Sequence, residues 1–177
     1  MLNPELYKAR AEKIKLLILD VDGVLTGGQI ILDNVANEYK SFNVRDGHGI
    51  KLAQRAGITV AIITGRESRV VEVRAAELGI TEVYQHSLNK VDAYTDLVGK
   101  LGITGEEVAY VGDDIVDIPV MRKAGLSFAV ADAEPYVRAA ADMVTERGGG
   151  KGAVREVIDY ILMASSRWDM VTGKYFV

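Results

Sequence analysis

Two short acidic clusters carry the chemistry open to this sequence. Asp20-Val21-Asp22-Gly23-Val24-Leu25-Thr26 follows the apolar run Leu16-Leu17-Ile18-Leu19. Gly112-Asp113-Asp114-Ile115-Val116-Asp117 follows Val108-Ala109-Tyr110-Val111. One aspartate behind a strand is an ordinary helix cap or turn residue, and Asp114 is read that way. Two acidic clusters, each directly behind an apolar run, go beyond capping. If both runs are parallel strands, their acids meet at one edge of the sheet. Carboxylates crowded there repel one another unless a cation neutralises them. The chain has no cysteine and two histidines, so the donors are oxygens. Oxygen donors suit a hard cation, Mg2+ first.

The elements that must position those acids are legible as alternating patterns. Residues 58–63, ending at Thr64, and residues 126–130, ending near Ala131-Asp132, are two further apolar runs. Continuous apolar runs of this length read as parallel strands covered on both faces. Helical stretches lie at about 46–56, 67–78, 89–101 and 115–123. Each is followed by a glycine (Gly57, Gly79, Gly102, Gly125), the expected C-terminal cap. The pattern predicts a doubly wound, Rossmann-like α/β fold, with a parallel sheet and helices on both faces. Ligands of such sheets bind beyond the carboxyl ends of the strands. Residues 27–44 break the pattern with Gln29-Ile30-Ile31-Leu32, a turn near Asp33-Asn34 and the run 38–42, which predicts an inserted β-hairpin. No other insertion is large enough to be a cap, so residues 1–177 read as one domain. A last helix is expected at about 153–164, after a flexible Gly148-Gly149-Gly150 junction, and then a polar and aromatic tail over 165–177.

Composition narrows the function classes. Hydrophobic residues make up 49% of the 177, enough for a real core. The net charge of −4 argues against a nucleic-acid-binding face. It leaves small anions open, because a pocket can be locally basic in an acidic protein. The lack of cysteine excludes disulfides and thiolate metal sites. Residues 1–15 are mixed polar and charged without a signal-peptide core, and no later run is long enough to cross a bilayer. A cytoplasmic protein that engages neither nucleic acid nor membrane is the expectation.

The motifs, in this order, resemble the haloacid dehalogenase superfamily of phosphatases from about residue 14 to 164. Asp20-x-Asp22 matches its first motif and Thr64 its second. Lys90 fits the third, and Asp113 with Asp117 the fourth. The resemblance implies that Asp20 attacks phosphorus and carries the phosphoryl group, while Asp22 serves as acid and then base. It implies Mg2+ held by Asp20, the backbone carbonyl of Asp22, and Asp113, with Asp117 orienting the site from behind. Thr64 and Lys90 would hold phosphoryl oxygens.

The run Phe42-Asn43-Val44-Arg45-Asp46-Gly47-His48-Gly49-Ile50-Lys51 closely resembles the 3-deoxy-D-manno-octulosonate 8-phosphate phosphatases. So do Val24-Leu25-Thr26, Gly65-Arg66, Arg74 and the stretch Gly150-Lys151-Gly152-Ala153-Val154-Arg155-Glu156. That likeness implies sugar-acid contacts from Asn43, Val44, Arg45, Asp46 and Gly47. It implies cationic groups at Lys51, Arg66, Arg74 and Lys90 around the phosphate and carboxylate. Lys51 stands where arginine is frequent, and Gly27-Gly28 where an acid followed by glycine is usual. His48 is read as a packing or hydrogen-bonding residue, and His86 is assigned no role. The likeness further implies a homotetramer with hairpins packed at its centre and tails reaching toward neighbouring sites.

Other readings stay open on the residues alone. A phosphatase for a nine-carbon keto-sugar acid 9-phosphate would share most of these residues. A phospho-accepting receiver domain has no use for Asp22. A non-catalytic binding subunit would be expected to lose Asp20 or Asp113. A phosphotransferase would normally need a cap to exclude water.

Overall fold

A computed structural model describes residues 2–177. In chain order, helix α1 (Lys8–Ala11) leads into strand β1 (Leu16–Leu19), and strands β2 (Ile31–Leu32) and β3 (Glu38–Tyr39) form the hairpin. Then come α2 (Val44–Arg55), β4 (Thr59–Ile63), α3 (Arg69–Leu78), β5 (Glu82–Tyr84), α4 (Lys90–Leu101), β6 (Val108–Gly112), α5 (Ile118–Met121), β7 (Leu126–Ala129), α6 (Pro135–Ala140) and β8 (Met143–Val144). Helices α7 (Ala153–Ala164) and α8 (Trp168–Thr172) follow.

Six strands make one parallel sheet in the order β5-β4-β1-β6-β7-β8. Every residue of β1 is buried, as a strand covered on both faces requires. Helix α2 packs on both α3 and α7, and α5 on both α4 and α6, forming the covering layers. The chain moves outward from β1 through β4 to β5, then returns to the other side of β1 with β6. The topological switch point therefore lies between β1 and β6, and a crevice opens there beyond the strand ends. In register, Leu19 stands beside both Ile62 and Val111.

Local chemistry starts and stops the helices. Asn43 caps α2, accepting from Arg45 N at 2.8 Å, and Asn89 caps α4 from Val91 N at 3.3 Å. Gly79 and Gly102 end α3 and α4 in the left-handed region, at φ +67° and +63°, where a Cβ is disfavoured.

Several expectations need correction. Helix α2 begins at Val44, two residues early, because Asn43 supplies its cap. The stretch 115–123 opens as a 3-10 turn over Ile115–Asp117 before α5. Gly125 is no left-handed cap. A Cβ there would lie 2.3 Å from Glu106 O, so glycine permits a close approach. The Gly148-Gly149-Gly150 segment is packed, not a free junction. Gly149 N donates to Asp132 Oδ1 at 2.8 Å, Gly150 N donates to Val24 O at 2.9 Å, and a Cβ on Gly149 would lie 1.7 Å from Gly23 O. Strands β5 and β8 and helix α6 were not anticipated. Elements of three, two and six residues are too short to show a period.

The hairpin pairs Ile31 with Tyr39 and Leu32 with Glu38, closed by Asp33, which accepts from Val35 N and Asn37 N at 2.9 and 2.8 Å. The tail folds back on its own chain. Val171 and Thr172 are buried, Arg167 donates to Ile14 O at 3.1 Å, and Tyr175 meets the His48 ring edge-on.

Candidate active site

Asp20 is the first residue past β1, and its N–H still donates to Val111 O at 3.2 Å. Asp113 is the first past β6. Adjacent parallel strands ending level thus bring both carboxylates to the switch point. Gly23 (φ +98°) lets the loop after Asp20 lie against Asp113, since a Cβ on it would stand 2.0 Å from Asp113 Oδ2. Lys90 arrives from the return half of the chain, as the first residue of α4. Its buried ammonium donates to Asp20 Oδ1 at 2.6 Å and to Asp117 Oδ1 at 2.7 Å.

Asp117 is wholly buried and fully engaged. Its Oδ1 also accepts from Tyr110 Oη at 2.6 Å, and its Oδ2 from Asp113 N at 2.9 Å and Asp114 N at 3.1 Å. It ties the turn after β6 to Lys90. Asp114 is the cap it was expected to be, accepting from Ile115 N at 2.7 Å.

Oxygens of Asp20, Asp113 and Asp117 lie within 4.8 Å of one another. Burial and the Asp117 charge push Asp20 up to about 6, although Lys90 pulls the other way. Burial, then the charges of Asp20 and Asp117, pushes Asp113 up to about 8. Burial opposes a charged Lys90, but its two carboxylate partners outweigh burial and raise it. Asp113 Oδ1 is buried without a hydrogen-bond partner among the described residues. An all-oxygen group with excess negative charge and one orphaned oxygen fits a hard divalent cation. With both Asp117 oxygens taken by four donors, the free valence for a cation lies on Asp20 and Asp113.

The other anticipated residues divide. Thr64 is buried at the end of β4, its backbone held by Tyr84 O and Ser87 N at 2.9 and 3.0 Å. Asp22 lies at the mouth of the site. Its Oδ1 accepts from Lys40, and Arg66 Nη1 stands 3.9 Å from its Oδ2. Arg66 also donates to Glu38 Oε1 at 2.8 Å, and Ser68 Oγ donates to Glu38 Oε2. Glu38, Lys40 and Ser68 were not anticipated. The signal for the first two is the strand period of two, which points Glu38 and Lys40 to the same side of the hairpin. Asn43 Nδ2 reaches Gly150 O at 3.3 Å, and Val44 and Arg45 are exposed at the start of α2. Arg74 packs over the Phe42 ring, 5.7 Å from its centroid. Gly47 gives it room, because a Cβ there would lie 2.4 Å from Arg74 Nη2.

Two of the residues expected at the ligand also have partners within the fold. Asp46 is buried at 1% exposure, and its Oδ1 accepts from Arg155 N at 2.7 Å. That bond holds the start of α7 against α2, while Oδ2 is buried without a hydrogen-bond partner among the described residues. Lys51 donates to Leu78 O at 2.6 Å, at the carboxyl end of α3. Helix α3 starts at the acidic edge and runs away from it, so Lys51 lies toward the opposite end of the sheet. It stands about 10 Å along α2 from Val44, at 1.5 Å per residue. His48 is exposed, with its Nδ1 3.3 Å from Arg155 Nη1 and its ring edge-on to Tyr175.

Residues 68–158 match the haloacid dehalogenase-like hydrolase family. The chain is 56% identical over 166 residues to the 3-deoxy-D-manno-octulosonate 8-phosphate phosphatase of Escherichia coli K12, covering 94% of this chain and 88% of that protein. The Yersinia pestis crystal structure of that phosphatase superposes with a TM-score of 0.89 at 51% identity, over 90% of this chain and 86% of the other. The Moraxella catarrhalis phosphatase, in complex with magnesium, phosphate and the sugar acid, gives 0.93 at 42% identity, over 95% and 97%.

Proposed function

The chain belongs to the haloacid dehalogenase-like hydrolases, and within them to the 3-deoxy-D-manno-octulosonate 8-phosphate phosphatases, and from that premise we propose how its residues hydrolyse that sugar-acid phosphate. The observation that carries the reading is the convergence of Asp20, Lys90 and Asp113 at the switch point, with Asp22 two residues beyond Asp20.

Asp20 Oδ attacks phosphorus as the ester P–O bond breaks, and Asp22 gives its proton to the departing alkoxide. The product is the free sugar acid and a phosphoryl group on Asp20. Asp22, now ionised, takes a proton from a water that attacks phosphorus, releasing phosphate and restoring both carboxyl groups. Lys90 and Thr64 hold phosphoryl oxygens, and Lys90 keeps its orientation through Asp117. Asp20, Asp113 and the backbone carbonyl of Asp22 would hold Mg2+, which when bound would supply positive charge to offset that of the phosphoryl oxygens. Arg66 and Arg74 supply guanidinium groups suited to the carboxylate and hydroxyls of the sugar acid, with Asn43, Val44, Arg45 and Gly47 along the same rim.

The proposal extends to a single-domain protein working in the cytoplasm as a homotetramer. The exposed hairpin side chains Ile30, Ile31, Leu32, Val35 and Tyr39 support the last, since apolar surface concentrated on one flap is costly in water. Sedimentation of a monomer at micromolar concentration would overturn it. No helix among the described residues is long and apolar enough to cross a membrane.

The test is phosphate release from 3-deoxy-D-manno-octulosonate 8-phosphate and from nine-carbon sugar-acid 9-phosphates, with Mg2+ or EDTA. The expected result is turnover of the eight-carbon ester, abolished by EDTA and by Asp20→Asn. Preference for a nine-carbon ester, or turnover by Asp20→Asn, would refute the reading.

A further inference from the structure

The hairpin does more than stand beside the site. The end of its second strand sends Glu38 and Lys40 to the same side, and each meets a different loop at the strand ends. Glu38 is held by Arg66 Nη2 at 2.8 Å and by Ser68 Oγ, both from the turn after β4. Lys40 reaches across to Asp22 Oδ1 and stands 3.5 Å from Glu38 Oε1. Its side chain is 1% exposed, against 22% for Asp22. A lysine this buried is held where its charge is matched. Its two carboxylate neighbours match it, one on its own strand and one on the loop after β1. The chain Asp22–Lys40–Glu38–Arg66 thus ties the flap to the loops after β1 and β4.

We propose that Lys40 is a positioning residue for the reaction, fixing the Asp22 carboxyl so that Oδ2 faces the leaving group. This rests on the proposed acid role of Asp22. Lys40 occupies Oδ1. At 3.9 Å, Arg66 is too far to hydrogen-bond Oδ2, so Oδ2 is the oxygen left for proton exchange. During ester cleavage the Oδ2–H bond breaks as the leaving oxygen gains that proton and the P–O bond opens. In the second half Oδ2 recovers a proton from water. Lys40 neither gains nor loses a proton in either step. Its part is to stop the carboxyl rotating, and a group held within a fraction of an ångström of its target is what makes such transfers efficient.

The test exploits the leaving group. A sugar alkoxide needs a proton as it departs, and p-nitrophenolate does not. Water attack on phosphorylated Asp20 is common to both esters, so the reading is taken from single-turnover release of the leaving group with enzyme in excess. In Lys40→Met that rate on the sugar-acid phosphate should fall by about 30- to 100-fold, at or just under the lower end of a general-acid contribution. On p-nitrophenyl phosphate it should change by less than about threefold. Lys40→Arg, which keeps the charge, should recover most of the loss. The p-nitrophenyl phosphate rate also reports that the variant is folded and its nucleophile intact. Equal losses on both esters would overturn the proposal in favour of a structural role. A raised KM with an unchanged single-turnover rate on the sugar phosphate would overturn it in favour of substrate binding. If wild type hydrolyses p-nitrophenyl phosphate through Asp20 but no sugar-acid phosphate, the substrate reading fails instead, and Lys40 is then judged on other alkyl phosphates against the aryl ester.

Discussion

Replacing Asp117 by asparagine removes one charge and changes one atom, in a place where every lone pair is used. Asp117 accepts from Lys90 and Tyr110 on Oδ1 and from the Asp113 and Asp114 amides on Oδ2. Asparagine brings one acceptor and an NH2 group. If its oxygen keeps the two backbone amides, the NH2 points at Lys90 and Tyr110. The tyrosine hydroxyl can turn and accept, but the ammonium cannot. One buried charge-assisted bond is therefore lost, at about 1.5–3 kcal/mol, and the two retained amide bonds weaken as their acceptor loses its charge. The sum is about 3 kcal/mol. For a chain of 177 residues that corresponds to a fall in Tm of about 6–12 °C, at about 2–4 °C per kcal/mol. Lys90 is left with Asp20 alone, and kcat should drop about 10- to 100-fold, as when a supporting partner of a metal site is removed. The assays are thermal unfolding without metal, and phosphate release and Mg2+ titration with it. A Tm change under about 2 °C would refute the reasoning. So would loss of Mg2+ binding beyond about 100-fold, which would make Asp117 a ligand in its own right.

Two further predictions follow from the same site and its supports. Asp113, pushed up to about 8, must be ionised to hold a cation. Apparent Mg2+ affinity should therefore fall by up to about tenfold per pH unit as pH drops from about 8 toward 6, where Asp20, pushed up to about 6, begins to take up a proton as well. The sign for stability is the opposite: a carboxyl whose pKa is higher folded than unfolded destabilises the fold progressively as pH rises through that interval. The metal-free protein should thus lose Tm between pH 6 and 8 and regain it with Mg2+. Calorimetric titration giving a flat affinity from pH 6 to 8 would contradict this. Asp46→Ala should cost about 1–3 kcal/mol, because it strips the start of α7 of a buried acceptor, while KM for the sugar phosphate changes little. A KM increase above about tenfold, or 1.4 kcal/mol, would return Asp46 to the substrate-binding group.

How legible the site was depended on the distance over which each residue acts. Asp20, Asp22 and Asp113 are written next to buried strands, and a strand ending in an acid reads locally. Lys90 could be assigned only by its order among the motifs. Its two carboxylate partners are 70 and 27 residues away, and nothing in its neighbours distinguishes it from a solvated lysine. The same limit hides the partners of Asp46 and Lys51. Both lie on α2 in a stretch that resembles a substrate-binding segment, but a helix turns successive side chains through about 100°. Asp46 is thereby aimed at the start of α7, and Lys51 at the end of α3. Asp117 was expected to support the site, yet its tie to Tyr110 depends on the tight turn after β6.

From the sequence alone, the strand–helix alternation, the glycines that end α3 and α4, the inserted hairpin and the acids at two strand ends were determined. Each is a matter of periodicity or of residue type within a few positions. Only the tertiary structure decided that β1 and β6 are neighbours at the switch point and that Gly23 must give way to Asp113. It also decided that the glycines at 148–150 are packed, and that Lys40 of the flap is buried against Asp22. Those facts rest on contacts between segments far apart in the chain. Their free energy comes from burial and charge pairing, which no local pattern records.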